Sequence, residues 1–194
     1  MSGFPLQLTT NPALQYNDLL GWTCDQEICQ VGLIMNVAAY VLGGRIPLPA
    51  PISVTNLNAY LTVAGGTLTH SYMGLWKSNG TLIGQTADQS TGAGGWGTGA
   101  SVGAKQMALV GGPFACTPQA ANDFLWAGFY CGTAVLLPTW ASASIDSFPA
   151  LLNIGTTTVR SRTFNYPLAD TATLPNLTLA TIGANARPFW IGLS

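Results

Sequence analysis

Residues 70–91 read HSYMGLWKSNGTLIGQTADQST. Tyr72, Gly74 and Trp76 alternate with Met73 and Leu75, the period of two that sends successive side chains to opposite faces of a strand. Ser78-Asn79-Gly80 follows, and Leu82 and Ile83 then resume an apolar run. Asn-Gly supplies the positive φ that a tight hairpin turn requires, so the stretch predicts two antiparallel strands. It runs into STGAGGWGTGAS (90–101), whose glycines predict a surface loop carrying one aromatic ring, Trp96.

The same period recurs along the chain. Strands are expected at 31–42, 53–63, 70–77, 81–86, 105–110, 123–132, 158–164 and 187–194, separated by Gly, Pro, Asn and Ser. In 123–132, Phe124, Trp126 and Tyr130 face one way while Leu125, Phe129 and Cys131 face the other. Apolar groups on both sides predict a strand buried on both faces, or one face set against a partner subunit. The three alternating prolines of IPLPAPI (46–52) predict an extended edge or a link, since proline cannot donate to a ladder. Only 11–20, opening on Asn11-Pro12, suits a turn of helix. About eight antiparallel strands at this spacing mean an all-β, antiparallel β-sandwich of jelly-roll type. Residues 1–17 are expected to form a short N-terminal docking arm, with Phe4, Leu6 and Leu8 as its apolar contacts, and 18–194 a single sandwich domain.

Charged residues make up 7% of the 194 residues, and the net charge is −1. Ordinary soluble domains carry about 25%. Nucleic-acid binding is not expected, because phosphate neutralisation needs clustered Lys and Arg, and the six basic residues are scattered. Arg160 and Arg162 alone fall close together, as a solvated or interface feature. No apolar run reaches the roughly 18 residues of a membrane helix, so membrane insertion is not expected. The N-terminal stretch lacks the basic and apolar regions of a signal peptide. A surface this poor in charge must be covered by neutral polar groups or by another subunit, and the chain reads as a subunit of an assembly.

Catalytic chemistry finds little purchase. A Ser-His-Asp triad would have to use His70, the single histidine, which opens a strand. The seven carboxylates stand mostly beside turn signals, and no phosphate loop or dinucleotide fingerprint occurs. Cys24, Cys29, Cys116 and Cys131 permit two disulfides in three pairings; the Cys24–Cys29 spacing sits at the edge of zinc-ligand spacing, with one histidine to complete a site. No catalytic residue, metal or cofactor is expected. The aromatic residues are better candidates, because sugars stack on Trp or Tyr and take hydrogen bonds from neutral side chains. Trp76, Trp126 and Trp190 lie in expected strands and are assigned to the core. Trp96 and Trp140 lie in expected loops and are the candidate glycan contacts.

Two stretches carry a resemblance. DLLGWTCDQ (18–26) precedes the first strands, and residues 52–91 lead through KQMALVGGPFACTP to DFLWAGFYCGTAVLLPTW. The order resembles the β-sandwich module of minor tail proteins and tail fibres in phages of actinobacteria. The counterparts here are Gly74, Leu75, Gly80, Leu82, Ile83, Thr86 to Ser90, Lys105, the Trp126–Tyr130 strand, and Trp190 with Leu193. The resemblance implies a non-enzymatic bacteriophage virion protein, tail-associated and contacting the host envelope. Its partners would be itself, as a homotrimer, other virion proteins and a host cell-surface glycan. A capsid decoration protein that stabilises the head lattice is the alternative. A free carbohydrate-binding domain is the third reading.

Overall fold

The computed structural model describes residues 19–23, 29–34, 38–143, 163–184 and 189–194. The proposed arm, with Phe4, Leu6 and Leu8, lies outside these residues, as do Cys24, Arg160 and Arg162. The fold is an all-β sandwich with antiparallel pairing throughout. The strands are β1 (Gly21–Trp22), β2 (Cys29–Ile34), β3 (Tyr40–Pro47), β4 (Ile52–Val54), β5 (Asn56–Val63), β6 (Ser71–Lys77) and β7 (Leu82–Gln85). They continue as β8 (Gly103–Ala108), β9 (Phe114–Cys116), β10 (Phe124–Cys131), β11 (Thr139–Ala143), β12 (Thr163–Pro167), β13 (Gly183–Ala184) and β14 (Gly192–Leu193).

One sheet runs β1-β14-β5-β11-β2, with β8 also paired to β5. The other runs β13-β12-β3-β10-β6-β7, and β4 and β9 make a small third pair. From β2 onward the chain crosses repeatedly between the sheets, and consecutive strands stay together at β6–β7 and β12–β13. This crossing pattern is the jelly-roll-like one.

The expected hairpin is there, with Gly80 at φ +88 in its turn. The single strand expected at 31–42 is two strands in different sheets: β2 pairs with β11, and β3 with β10. Ala39, at φ +61, bends the chain into β3. A largely apolar run cannot by itself show where a strand changes sheet. The run expected at 53–63 likewise divides at Thr55 into β4 and β5. The short strands β1, β9, β11 and β13 carried no clear alternation and were not expected.

β10 is central and pairs along its whole length with β3. Its inward side chains, Leu125, Ala127, Phe129 and Cys131, join Leu42, Ile46, Met73 and Leu75 in the core between the sheets. The outward ones, Trp126 and Tyr130, meet Val41, Tyr72, Trp76 and Phe164 in a second core. That second core is roofed by residues 168–182 through Leu174, Leu177 and Ile182. Of the two covers the sequence allows for this face, the chain's own segment is the one found.

A row of glycines makes the roof fit. Gly43, Gly128 and Gly74 stand side by side across β3, β10 and β6, with Phe164 of β12 beside Gly43. Without side chains, the three leave a trough in the outer face. Trp126 packs edge-on against Phe164 at 5.0 Å over it. A methyl group on Gly43 would lie 2.0 Å from the Ala127 carbonyl oxygen, and one on Gly74 would lie 2.2 Å from the Trp76 ring. Hydrogen bonds tie the roof down: Trp76 Nε1 donates to Pro175 O (2.8 Å), Leu82 N to Asn176 Oδ1 (2.8 Å) and Leu177 N to Gly80 O (2.8 Å).

The trough gives a direct prediction. Gly43→Ala should cost about 3 kcal/mol in urea unfolding, because backbone must move to admit the methyl group. Gly94→Ala, where the added carbon meets nothing within 4 Å, should stay within about 0.5 kcal/mol of wild type.

Candidate functional site

Ser71, Cys131, Tyr40 and Pro167 share one register line across β6, β10, β3 and β12. Loops 64–70, 86–102 and 132–138 and the turn after β12 therefore gather at one end of the sandwich. The glycine-rich loop is the largest of them. It is folded around Trp96, whose ring is fully buried against Trp140 (5.1 Å, edge-on) and Phe129 (6.2 Å, edge-on). Phe129 and Trp140 stack at 4.3 Å.

The loop's backbone is tied on both sides of the ring. Trp96 N donates to Gln89 O (3.1 Å), and Gly65 N donates to Trp96 O (2.7 Å). The Asp88 carboxylate accepts from Ser71 N (3.0 Å) and Ser90 N (2.9 Å), fastening the loop's start to β6. A methyl group on Gly97 would lie 1.8 Å from Ser90 O, so the glycine permits a close backbone crossing.

Lys105 closes the arrangement from below. It faces inward from β8, is 7% exposed, and points its ammonium at the carbonyl oxygens of Ala93 (3.4 Å) and Gly94 (3.3 Å). Burial depresses its pKa. An inward-pointing lysine on this strand also discourages another chain from adding to the sheet beside it.

Trp96 and Trp140 therefore do not offer ring faces to a ligand. Both are 0% exposed, and Trp140 belongs to β11, paired with Leu33 and Leu61. Burying an indole of this size stabilises the fold more than a loop contact could, and the glycines around Trp96 let the backbone follow the ring inward. Trp76 and Trp126 are core, as expected, and Trp190 is buried.

His70 Nδ1 lies 2.9 Å from Asp170 Oδ1, a pair about a third exposed. The hydrogen bond from His70 holds the Asp170 carboxyl below its ordinary value. A pair this exposed contributes under about 1 kcal/mol. His70 continues into a stack on Tyr72 (6.4 Å), which stacks on Tyr130 (6.3 Å). Burial, with Asp170 nearby, pushes Tyr130 up to about 12, and its hydroxyl donates to Ala169 O (2.9 Å). The cluster links the start of the roof segment to β6. The His70–Asp170 pair acts as a clasp between the two segments.

The opposite end carries a cleft that the sequence reading missed. It lies between the β6–β7 turn and the loop from β9 to β10, and is lined by Leu48, Lys77, Asn79, Ile83, Gln119 and Asp123 among others, with a cavity volume of about 100 Å³. Burial raises Asp123, but the Ser78 hydroxyl and the N–H groups of Gln119 and Phe124 (2.8 Å each) outweigh it and leave the carboxylate below its ordinary value. Cys116, at the floor, is a buried free thiol pushed up by burial and partly offset by Lys77. Among the described residues no three His, Cys, Asp or Glu side chains gather to hold a metal ion, and no helix is long and apolar enough to cross a membrane.

No family model matches the chain, and no curated protein matches it.

Two predictions follow from the loop end. Trp96→Ala and Trp140→Ala should each cost about 3–5 kcal/mol in chemical unfolding, the effect of a core cavity. Lys105→Met should leave stability at neutral pH within about 1 kcal/mol of wild type, because loss of two long hydrogen bonds is offset by release of a buried charge. Its folded-state pKa lies below the ordinary 10.5, so wild type gains stability relative to Lys105→Met as pH rises toward that value. Unfolding curves at stepped pH measure the difference.

Proposed function

We propose that this chain is a structural subunit of a bacteriophage virion, associated with the tail as a minor-tail or receptor-binding type of protein. It assembles with itself as a homotrimer and with other virion proteins, and contacts the host envelope. The observation that carries the reading is the exposed apolar rim at the loop end in a chain with 7% charged residues. Val63 (49%), Val102 (62%), Val135 (83%) and Leu136 (53%) are all open there. Exposed apolar groups gathered at one end suit a contact with another protein.

The outer face of β5 and β8 supports the same reading. It presents Asn56, Asn58, Tyr60, Ala104, Gln106 and Ala108, none of them charged. The resemblance of residues 18–194 to minor tail modules adds the virion context. A specific observation also favours the second reading, a capsid decoration protein. Burial of Trp96 and Trp140 removes the two rings assigned to sugar, and a lattice contact needs no ligand. The same burial weakens the free carbohydrate-binding reading.

The test is to label intact virions with a gold-tagged antibody against this chain. Label at the tail or its tip is expected; label spread over the head would replace the tail reading with decoration, and unlabelled virions would overturn both. In parallel, light scattering of the purified chain should give three monomer masses, and a Val135→Asp, Leu136→Asp double variant should fall to one.

A further inference from the structure

We propose that the cleft between the β6–β7 turn and the β9–β10 loop binds a single neutral sugar residue. The proposal rests on the host-contact reading for its biological ligand, and it places the sugar site at the end of the sandwich away from Trp96 and Trp140.

The floor is apolar. Leu48, just after β3, and Leu125, near the start of β10, are core residues, and Ile83 packs against that core. The rim is polar and balanced in charge, with Lys77 and Asp123 as its two ionisable side chains beside the Cys116 thiol. Lys77 pairs with Leu125 across the strands, at the inward-facing position where β6 ends. Its ammonium makes no ion pair with any described residue.

The remaining rim groups have hydrogen-bonding capacity of both kinds. Asn79 Oδ1 accepts from Thr81 N (3.0 Å), which leaves its amide N–H groups to donate. Gln119 Nε2 donates to Thr117 O (3.0 Å), which leaves Oε1 to accept. Asp123 is held rigid by its own backbone bonds and keeps acceptor capacity on both oxygens.

An apolar floor with donors and acceptors around it matches a sugar ring, whose C–H face is apolar and whose hydroxyls donate and accept. A small anion would gain Lys77 but face Asp123. A purely apolar ligand would strip water from five polar groups without replacing its hydrogen bonds. The cavity, about 100 Å³, is well below the roughly 300–1,000 Å³ of drug-sized ligand pockets, which limits the occupant to one small unit.

Saturation-transfer NMR on the whole chain, with the methyl glycosides of glucose, galactose, mannose, rhamnose and arabinose, tests the site. At least one should receive saturation, and amide shifts should move at 77–81 and 117–125 alone. Lys77→Met and Gln119→Ala should each weaken that sugar about tenfold, because a buried hydroxyl loses its partner. Gln119 is exposed on a loop, so its variant decides the matter even where Lys77→Met fails to fold. Absence of transfer from all five glycosides, shifts centred on the loop end, or unchanged affinity in Gln119→Ala would overturn the site. Tail label without sugar binding would sink the site and leave the virion reading; sugar binding at the cleft without virion label would do the reverse.

Discussion

The fold depends on burying both faces of the β3–β10–β6 sheet. A strand with Trp126 and Tyr130 on one side and Leu125, Phe129 and Cys131 on the other has no face to give to water. One side meets the opposing sheet. The other must find a cover, and the chain supplies it by laying residues 168–182 across the glycine trough. The trough and the aromatic rings are complementary parts: glycines at 43, 74 and 128 lower the surface, and Trp76, Trp126 and Phe164 fill it. Packing of this density leaves little tolerance for added volume.

The roof removes the sheet's most apolar side from contention. Among the described residues, the neutral face of β5 and β8, the apolar rim at the loop end and the polar cleft at the far end stay open. The two ends differ in chemistry. The loop end is filled by Trp96 and held by Lys105, and it offers an apolar outer rim. At the far end, Lys77 occupies the inward-facing strand position beside the cleft. Rim and cleft are therefore chemically distinct surfaces.

Much of the architecture was legible because strand signals are local. The alternation in 70–77 and 123–132 and the Asn79-Gly80 turn placed the hairpin and the central strand correctly. The break inside 31–42 was not legible, since β2 and β3 are equally apolar and differ in which sheet they join. The loop tryptophans misled for a related reason. Glycine-rich sequence around Trp96 reads as exposed, yet the same glycines allow the backbone to bring the ring inside. The cleft was invisible because its lining comes from five separate stretches of chain between Leu48 and Leu125.

The sequence by itself determined the class of fold. Period-two alternation, turn residues between the runs and a turn that needs positive φ all point to an antiparallel sandwich. Only the tertiary structure decided which aromatic residues are core, what covers the second face of β10, and where a ligand could enter. Side-chain periodicity reports the two faces of a strand, and it carries no information on what comes to lie against each face. That depends on residues distant in the chain, such as Leu174 on Trp76 or Trp96 on Trp140, whose meeting is set by packing as a whole.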